Sequence, residues 1–192
     1  MQLVEIFQCM WSTGEISQEL VWTILVFIPK VNTDIQGIVL LETLWKVVEV
    51  IINTCLRSNI QFDDFLRGFC TGRGTGTATI EIKIAQELAS VNQDSLFLVF
   101  LDLSKAYDTI DHSRLIRTLE GYGAGPQMCY LLATFWSHQE VVIIQNGYHF
   151  PNVKANRGKI QGGVISPTLF DVVVDNVVQM WLGMTVEDQT VS

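Results

Sequence analysis

An apolar run that ends in a carboxylate is the feature that most constrains this chain. In the stretch SLFLVFLDLSKAYDTIDH, residues 95–112, six apolar residues (96–101) lead directly into Asp102. A run that does not alternate with polar residues is typical of a strand covered on both faces. A carboxylate at the end of such a strand costs free energy unless it is neutralised, hydrogen-bonded or bound to a cation. Asp102 is therefore a candidate metal ligand.

A purely structural role for Asp102 is the alternative. A carboxylate after a strand can cap the helix that follows, and Ser104 would cap such a helix equally well. Asp108 and Asp111 are expected to be solvated or to cap, because acids ahead of a helix favour its dipole. The spacing of these residues does not by itself choose between a metal ligand and a cap.

Composition narrows the class of protein. A hydrophobic content of 48% and a mean hydropathy of +0.30 exclude an intrinsically disordered chain. The longest charge-free apolar stretch near the start, residues 20–29, is too short for a membrane span, which needs roughly 20 residues. We expect no membrane segment and no secretory signal, and an intracellular protein in the cytoplasm or nucleus. The four cysteines form no C-x-x-C pair, so we expect no zinc site and a reducing compartment.

Periodicity and turn signals predict a mixed α+β fold, a small sheet packed with helices. Residues 146–147, Asn-Gly, predict a hairpin turn. Ser166 and Pro167 predict the start of a long helix. The predicted elements, in order, are a strand (21–30), helices (38–56 and 75–91), a strand (96–101), helices (112–123 and 126–139), a hairpin (140–153) and a final helix from residue 166.

The segment FLDLSKAYDTIDH, residues 100–112, resembles motif A of reverse transcriptases, particularly those of non-LTR retrotransposons and group II introns. In that motif the first Asp holds the catalytic metals, and Ala-aromatic-Asp follows four residues later, here Ala106, Tyr107 and Asp108. The resemblance implies that Asp102 is catalytic and binds Mg²⁺, two ions in the full family. It also implies that Tyr107 is the steric gate that excludes a ribose 2′-hydroxyl.

Three further blocks resemble the same family in the same order. RGKIQGGVISPTLF (157–170) resembles motif B, which implies that Gln161 and Gly162 lie against the nucleotide and the template strand. FIPKVNTDIQGIVLLETLWKVVE (27–49) is similar to a fingers segment, which implies that Lys30 lies near the triphosphate. GFCTGRGTGTA (68–78) is similar to a block that would bring Arg73 near the template. The remaining expected template contacts are the local basic patch of Lys154, Arg157 and Lys159.

The resemblance implies a partial right-hand polymerase fold, with a fingers-like region at 1–94 and part of the palm at 95–192. The expected partners are an RNA template, a DNA primer and deoxynucleoside triphosphates. The family's aromatic-x-Asp-Asp block does not follow motif B here, and we expect the acids at 62–65, Asp171 and Asp175 to be solvated rather than to replace it. We therefore expect a fragment of a retroelement reverse transcriptase that is inactive by itself.

The alternative is a non-catalytic nucleic-acid-binding or interaction module derived from a retroelement. The net charge of −8 argues against binding nucleic acid through bulk positive charge. Gln36, Leu66 and Cys70 stand where relatives commonly have Arg, Gln and Arg. These departures remove two cations from the expected nucleic-acid surface.

Overall fold

The fold was obtained as a computed structural model, which describes residues 3–29, 35–103, 109–145, 148–150, 153–154 and 163–189. It confirms a mixed architecture of helices and a small sheet. In chain order the elements are α1 (Leu3–Thr13), α2 (Gln18–Val21), β1 (Trp22–Pro29), β2 (Ile35–Leu41), α3 (Thr43–Asn59), α4 (Thr75–Asn92), α5 (His112–Gly121), α6 (Pro126–His138), β3 (Glu140–Gln145), β4 (Tyr148–His149), β5 (Val153–Lys154) and α7 (Ser166–Gln189).

The sheet is built around two central strands, β1 and β3. Strand β1 pairs with β2 antiparallel and with β3 in parallel, and the order along the sheet is β2-β1-β3-β4. Strand β5 pairs antiparallel with the start of β3, and β4 with its end. Strands from residues 22–41 and from residues 140–154 therefore lie in one sheet.

The predicted helix over 38–56 is wrong at its beginning. Residues 38–41 belong to β2, and the helix starts only at Thr43. Ile38 and Val39 pair with Val26 and Leu25 of β1, where β-branched side chains pack well. Glu42 lies at the junction and caps the helix, since its carboxylate accepts a hydrogen bond of 3.1 Å from the backbone N–H of Thr43. Periodicity missed the boundary because the apolar residues 38–41 lead into the helix without a Gly or Pro between them.

The core lies between the helices. The rings of Trp45 in α3 and Phe135 in α6 stack face to face, with centroids 3.8 Å apart. Around this pair lie fully buried aliphatic residues of four helices: Ile52, Leu56, Leu115, Leu119, Leu131, Leu132, Leu169 and Val172. Burying one such side chain contributes about 1.5–3 kcal/mol, so this cluster dominates the stability of the fold. Among the described helices, none is long and apolar enough to cross a membrane.

Most of the remaining elements agree with prediction. The helices at 75–92, 112–121 and 126–138 are present, and the last has Pro at its first turn. Gln145 pairs with Tyr148, which confirms the hairpin, although its turn residues lie outside the described ranges. The long final helix begins at Ser166. Helices α1 and α2 were not predicted.

The predicted strand over 96–101 is wrong. Residues 94–103 form neither helix nor strand, and every one of them is exposed, Phe97 by 87% and Leu101 by 89%. A strand needs neighbours for its backbone groups as well as its side chains, and every pair in the described sheet involves β1 or β3 instead. Apolar composition indicates that a segment favours burial, but it does not supply the partner.

Candidate nucleotide and metal site

Asp102 stands on the exposed segment after α4. Its carboxylate makes no hydrogen bond or ion pair with any residue that the structure describes. The next described helix is α5, and its capping carboxylate is Asp111, which accepts a hydrogen bond of 2.9 Å from the N–H of Arg114. The capping role expected for Asp111 is confirmed, and Asp102 keeps no structural role within the described residues.

Most of the other predicted site residues lie outside the described ranges: Lys30, Tyr107, Arg157, Lys159, Gln161 and Gly162. Lys154 is described only through its backbone, which pairs with Glu140 at the start of β3. Their assigned roles therefore stay predictions. Within the described residues no three His, Cys, Asp or Glu side chains come close enough to hold a metal ion. Asp102 alone does not provide a site for two ions.

Arg73 is engaged in holding a turn. Its guanidinium donates to the carbonyls of Asp63 (2.8 Å) and Leu66 (3.2 Å) and to the carboxylate of Asp64 (2.5 Å). It also lines a cavity of about 420 Å³ together with Arg57 and with Ile60, Gln61, Phe62, Asp64, Cys70 and Thr71. Burial raises the pKa of the Cys70 thiol in this cavity, and the nearby carboxylate of Asp171 raises it further. Arg73 thus shapes the 62–73 loop whether or not it contacts a template.

A row of polar side chains on α3 (Glu49, Asn53 and Arg57) contacts the start of α7 and the residues before it; we call this row the polar seam. Glu49, Asn53 and Arg57 follow one another at helical spacing on α3. Glu49 accepts a hydrogen bond of 2.6 Å from the N–H of Val164, the Thr168 hydroxyl donates to Asn53 at 2.5 Å, and Arg57 lies 3.9 Å from the Asp171 carboxylate. The sequence contained the signal for this seam, because Glu49 and Asn53 lie on the polar face of the predicted helix.

Gly163 lies where this seam meets the motif B segment, with little space for a side chain. A Cβ atom at this position would lie 2.8 Å from the hydroxyl of Ser166 and 3.1 Å from the carboxylate of Glu49. Real Cβ atoms essentially never approach another heavy atom within 3.0 Å. Glycine lets the backbone pass between these two side chains. The backbone directly after Gln161 and Gly162 therefore packs closely against Glu49 of α3.

The expectation that Asp171 and Asp175 are solvated is wrong. Each is only 2% exposed, and both face the protein interior from α7. Asp175 accepts hydrogen bonds from the hydroxyl of Tyr122 (2.5 Å) and from the N–H of Asp63 (3.0 Å). Sequence spacing placed both acids one helical turn apart but did not show that other segments fold over them. Hydrogen bonds hold Asp175, and Asp171 lies buried 3.9 Å from Arg57; within the described residues neither belongs to a group that could hold a metal ion.

The turn at 62–65 is also more than a solvated turn. Asp64 is exposed, as expected, but Asp63 is half-buried and its carboxylate accepts a hydrogen bond of 2.9 Å from Gln179 of α7. Its backbone N–H donates to Asp175, so both ends of Asp63 are docked on α7. The paired acids of this turn thus differ in role: one anchors the loop, and the other pairs with Arg73.

The family of the chain follows from comparison with known proteins. Residues 28–191 match the family described as reverse transcriptase (RNA-dependent DNA polymerase). The chain belongs to the reverse transcriptase family. This match covers three of the four blocks that carried the resemblance in full and the fourth from Ile28 onward, and it includes Asp102 and residues 157–170.

Individual relatives place this reverse transcriptase chain among retroelement proteins. It is 27% identical over 159 residues to the retrovirus-related Pol polyprotein of the type-2 retrotransposable element R2DM of Drosophila melanogaster, and these residues are 80% of this chain and 15% of that one. It is 26% identical over 162 residues to a reverse transcriptase-like protein of Chlamydomonas reinhardtii, 83% of this chain and 41% of that one. The chain thus spans less than half the length of either relative. These matches confirm the non-LTR retrotransposon type.

Proposed function

We propose that this chain forms the fingers-like region (1–94) and part of the palm (95–192) of a retroelement enzyme that copies RNA into DNA. The partners are an RNA template, a DNA primer and deoxynucleoside triphosphates. The family match over residues 28–191 supports this proposal. The observation that carries the assignment of the site is the contrast between Asp102, whose carboxylate no described residue engages, and the buried Asp171 and Asp175.

In this proposal Asp102 is a ligand for divalent metal ions, Mg²⁺ in the family, and the surrounding predicted residues bind the nucleotide. Lys30 contacts the triphosphate, Tyr107 lies beneath the sugar, and Gln161 and Gly162 lie against the base pair that forms. Arg73 acts on the template mainly by fixing its loop, because its guanidinium already donates to three oxygen atoms. Arg157, Lys159 and Lys154 contact the template backbone.

The isolated chain is expected not to extend a primer, since one carboxylate does not hold the two ions that nucleotidyl transfer uses. The measurement is primer extension with Mg²⁺ or Mn²⁺. Extension that disappears in Asp102→Ala would overturn this expectation and would show that the chain completes its own metal site.

Metal binding tests the role of Asp102 without requiring activity. Mn²⁺ binding to the full chain, followed by electron paramagnetic resonance, should be weak and should be lost in Asp102→Asn. Asp94→Asn is the matched control, because Asp94 is an exposed acid on the same segment. Equal Mn²⁺ binding by the Asp102→Asn variant and the native chain would remove Asp102 from the proposed site.

A further inference from the structure

A cleft between α5 and α7 carries two arginines that the resemblance did not assign. Its larger cavity has a volume of about 610 Å³ and is lined by Arg114, Arg117, Thr118, Gly121, Tyr122 and Asn176. A second cavity of about 240 Å³ shares Arg114, Thr118 and Asn176 with it. Because they share these residues, the two cavities adjoin each other, and we call them together the α5–α7 groove. A volume of this size lies in the range of natural ligand sites.

Both arginines are free of intramolecular partners within the described residues, which separates them from the other described arginines. Arg57 and Arg73 donate to backbone carbonyls and lie beside carboxylates, and Arg67 pairs with Glu81. In contrast, neither the Arg114 nor the Arg117 guanidinium makes a hydrogen bond or an ion pair there, and both side chains are exposed. They therefore form a second basic site. The sequence alone had indicated a single local basic patch, that of Lys154, Arg157 and Lys159.

The carboxylates that line the two cavities or lie behind them already accept hydrogen bonds, and the exposed Glu120 of α5 lines neither cavity. No acidic residue is among those that line the larger cavity. Asp111, at the edge of the smaller one, accepts hydrogen bonds from the N–H of Arg114 and the hydroxyl of Ser113. Asp175 is buried behind Tyr122, whose hydroxyl donates to it. The positive charge of the groove thus faces solvent, whereas the Thr118 hydroxyl donates to the carbonyl of Arg114 and the Asn176 amide to the sulfur atom of Met180.

We propose that this groove binds the sugar-phosphate backbone of a single-stranded nucleic acid. The fork of a guanidinium matches the oxygen atoms of a phosphate, and two side chains three residues apart on a helix lie about 5–6 Å apart at Cβ. Such a pair fits consecutive phosphates, which every nucleic-acid strand offers whatever its sequence. The inference goes beyond the proposed polymerase activity and does not rest on it, because the groove shares no residue with the predicted nucleotide and metal site.

The expected interaction is weak and dependent on salt. The net charge of −8 repels a polyanion, so attraction must come from the local pair. For single strands the logarithm of the binding constant falls with the logarithm of salt concentration with a slope of about −0.7 for each phosphate neutralised. Two contacts in the groove therefore contribute a slope of about −1.4.

The test is fluorescence anisotropy of a labelled oligouridine, titrated with the full chain over a range of KCl concentrations. Arg114→Gln/Arg117→Gln should bind more weakly and show a salt slope shallower by about 1.4. Lys46→Gln/Lys83→Gln removes the same charge elsewhere and should keep nearly all of the slope, while Arg114→Lys/Arg117→Lys should keep most of it. Thermal melting of each variant confirms that the fold is retained.

An unchanged salt slope in Arg114→Gln/Arg117→Gln would overturn the proposal, and so would an equal loss of binding in both glutamine double variants. The same titrations with labelled polyglutamate give a third outcome that would overturn it: Arg114→Gln/Arg117→Gln loses binding to polyglutamate but not to oligouridine. The last result would assign the groove to an acidic peptide. Asp102→Asn should bind oligouridine like the native chain, so failure of the polymerase proposal and failure of this one are distinguishable.

Discussion

The hydroxyl of Tyr122 donates a hydrogen bond of 2.5 Å to the buried carboxylate of Asp175. The N–H of Asp63 donates to the other oxygen atom of the same carboxylate, 3.0 Å away. One charged group on α7 therefore joins the end of α5 to the turn at 62–65, two segments that are far apart in sequence. A buried carboxylate is stable only with such partners.

Tyr122→Phe should lower the free energy of unfolding by about 1.5–3 kcal/mol, because it removes a hydrogen bond to a charged, buried group. Urea unfolding at neutral pH measures the change. Tyr130→Phe is the control: its side chain is largely exposed, so we expect less than about 0.5 kcal/mol. Equal effects of the two substitutions would show that the bond to Asp175 contributes little.

Alkaline pH should narrow the difference between the native chain and Tyr122→Phe. Burial, and then the hydrogen bond to Asp175, raises the pKa of Tyr122 above its usual range. Above about pH 10 the unfolded state therefore loses this proton while the folded state keeps it, and the stabilising contribution of Tyr122 declines as pH rises. Urea unfolding of both proteins, between pH 8 and the highest pH at which they fold, measures the difference in their free energies of unfolding. A difference that grows with pH would contradict the raised pKa of Tyr122.

Gly163→Ala should destabilise the chain by about 1–3 kcal/mol, since the added methyl group meets the Ser166 hydroxyl and the Glu49 carboxylate. Gly76→Ala is the matched control, because nothing lies within 4 Å of its Cβ position on α4. There the substitution should be neutral or slightly stabilising, as alanine favours a helix. Thermal melting distinguishes the two variants. An unchanged melting temperature in Gly163→Ala would show that the side chains of Ser166 and Glu49 move enough to accommodate the methyl group.

Arg73→Gln should lower the free energy of unfolding by about 1–3 kcal/mol, since several charge-assisted hydrogen bonds hold the 62–73 loop. Arg117→Gln is the control, because this exposed arginine makes no side-chain hydrogen bond or ion pair with a described residue and its loss should cost less than about 0.5 kcal/mol. Urea unfolding of both variants measures the contrast. Unchanged stability in Arg73→Gln would leave contact with a template as its main role.

The exposed apolar segment at 94–103 should promote aggregation. Phe97→Lys/Val99→Lys places charges at two positions that are more than 80% exposed, so association should fall while the melting temperature stays the same. Size-exclusion chromatography with light scattering measures the associated fraction. A lower melting temperature in this variant would mean that the segment packs on the fold, and an unchanged associated fraction would remove it as the cause.

Local signals in the sequence were sufficient where one element decides its own structure. Turn and capping residues predicted the hairpin at 140–153 and the starts of the helices at Pro126 and Ser166, because these signals act within a few residues. The family was also readable, since its motifs are contiguous, and the comparison with known proteins confirms it.

Burial was decided only by the tertiary structure. The sequence by itself determined that residues 96–101 are apolar and that Asp171 and Asp175 share a helix face, yet the apolar run is exposed and both acids are buried. The physical reason is that burial depends on partners from distant parts of the chain. Tyr122 and Asp63 donate hydrogen bonds to Asp175, and Arg57 lies 3.9 Å from Asp171, whereas no described strand lies beside the apolar run. Local pattern gives a side chain its preference, and long-range packing determines whether that preference is met.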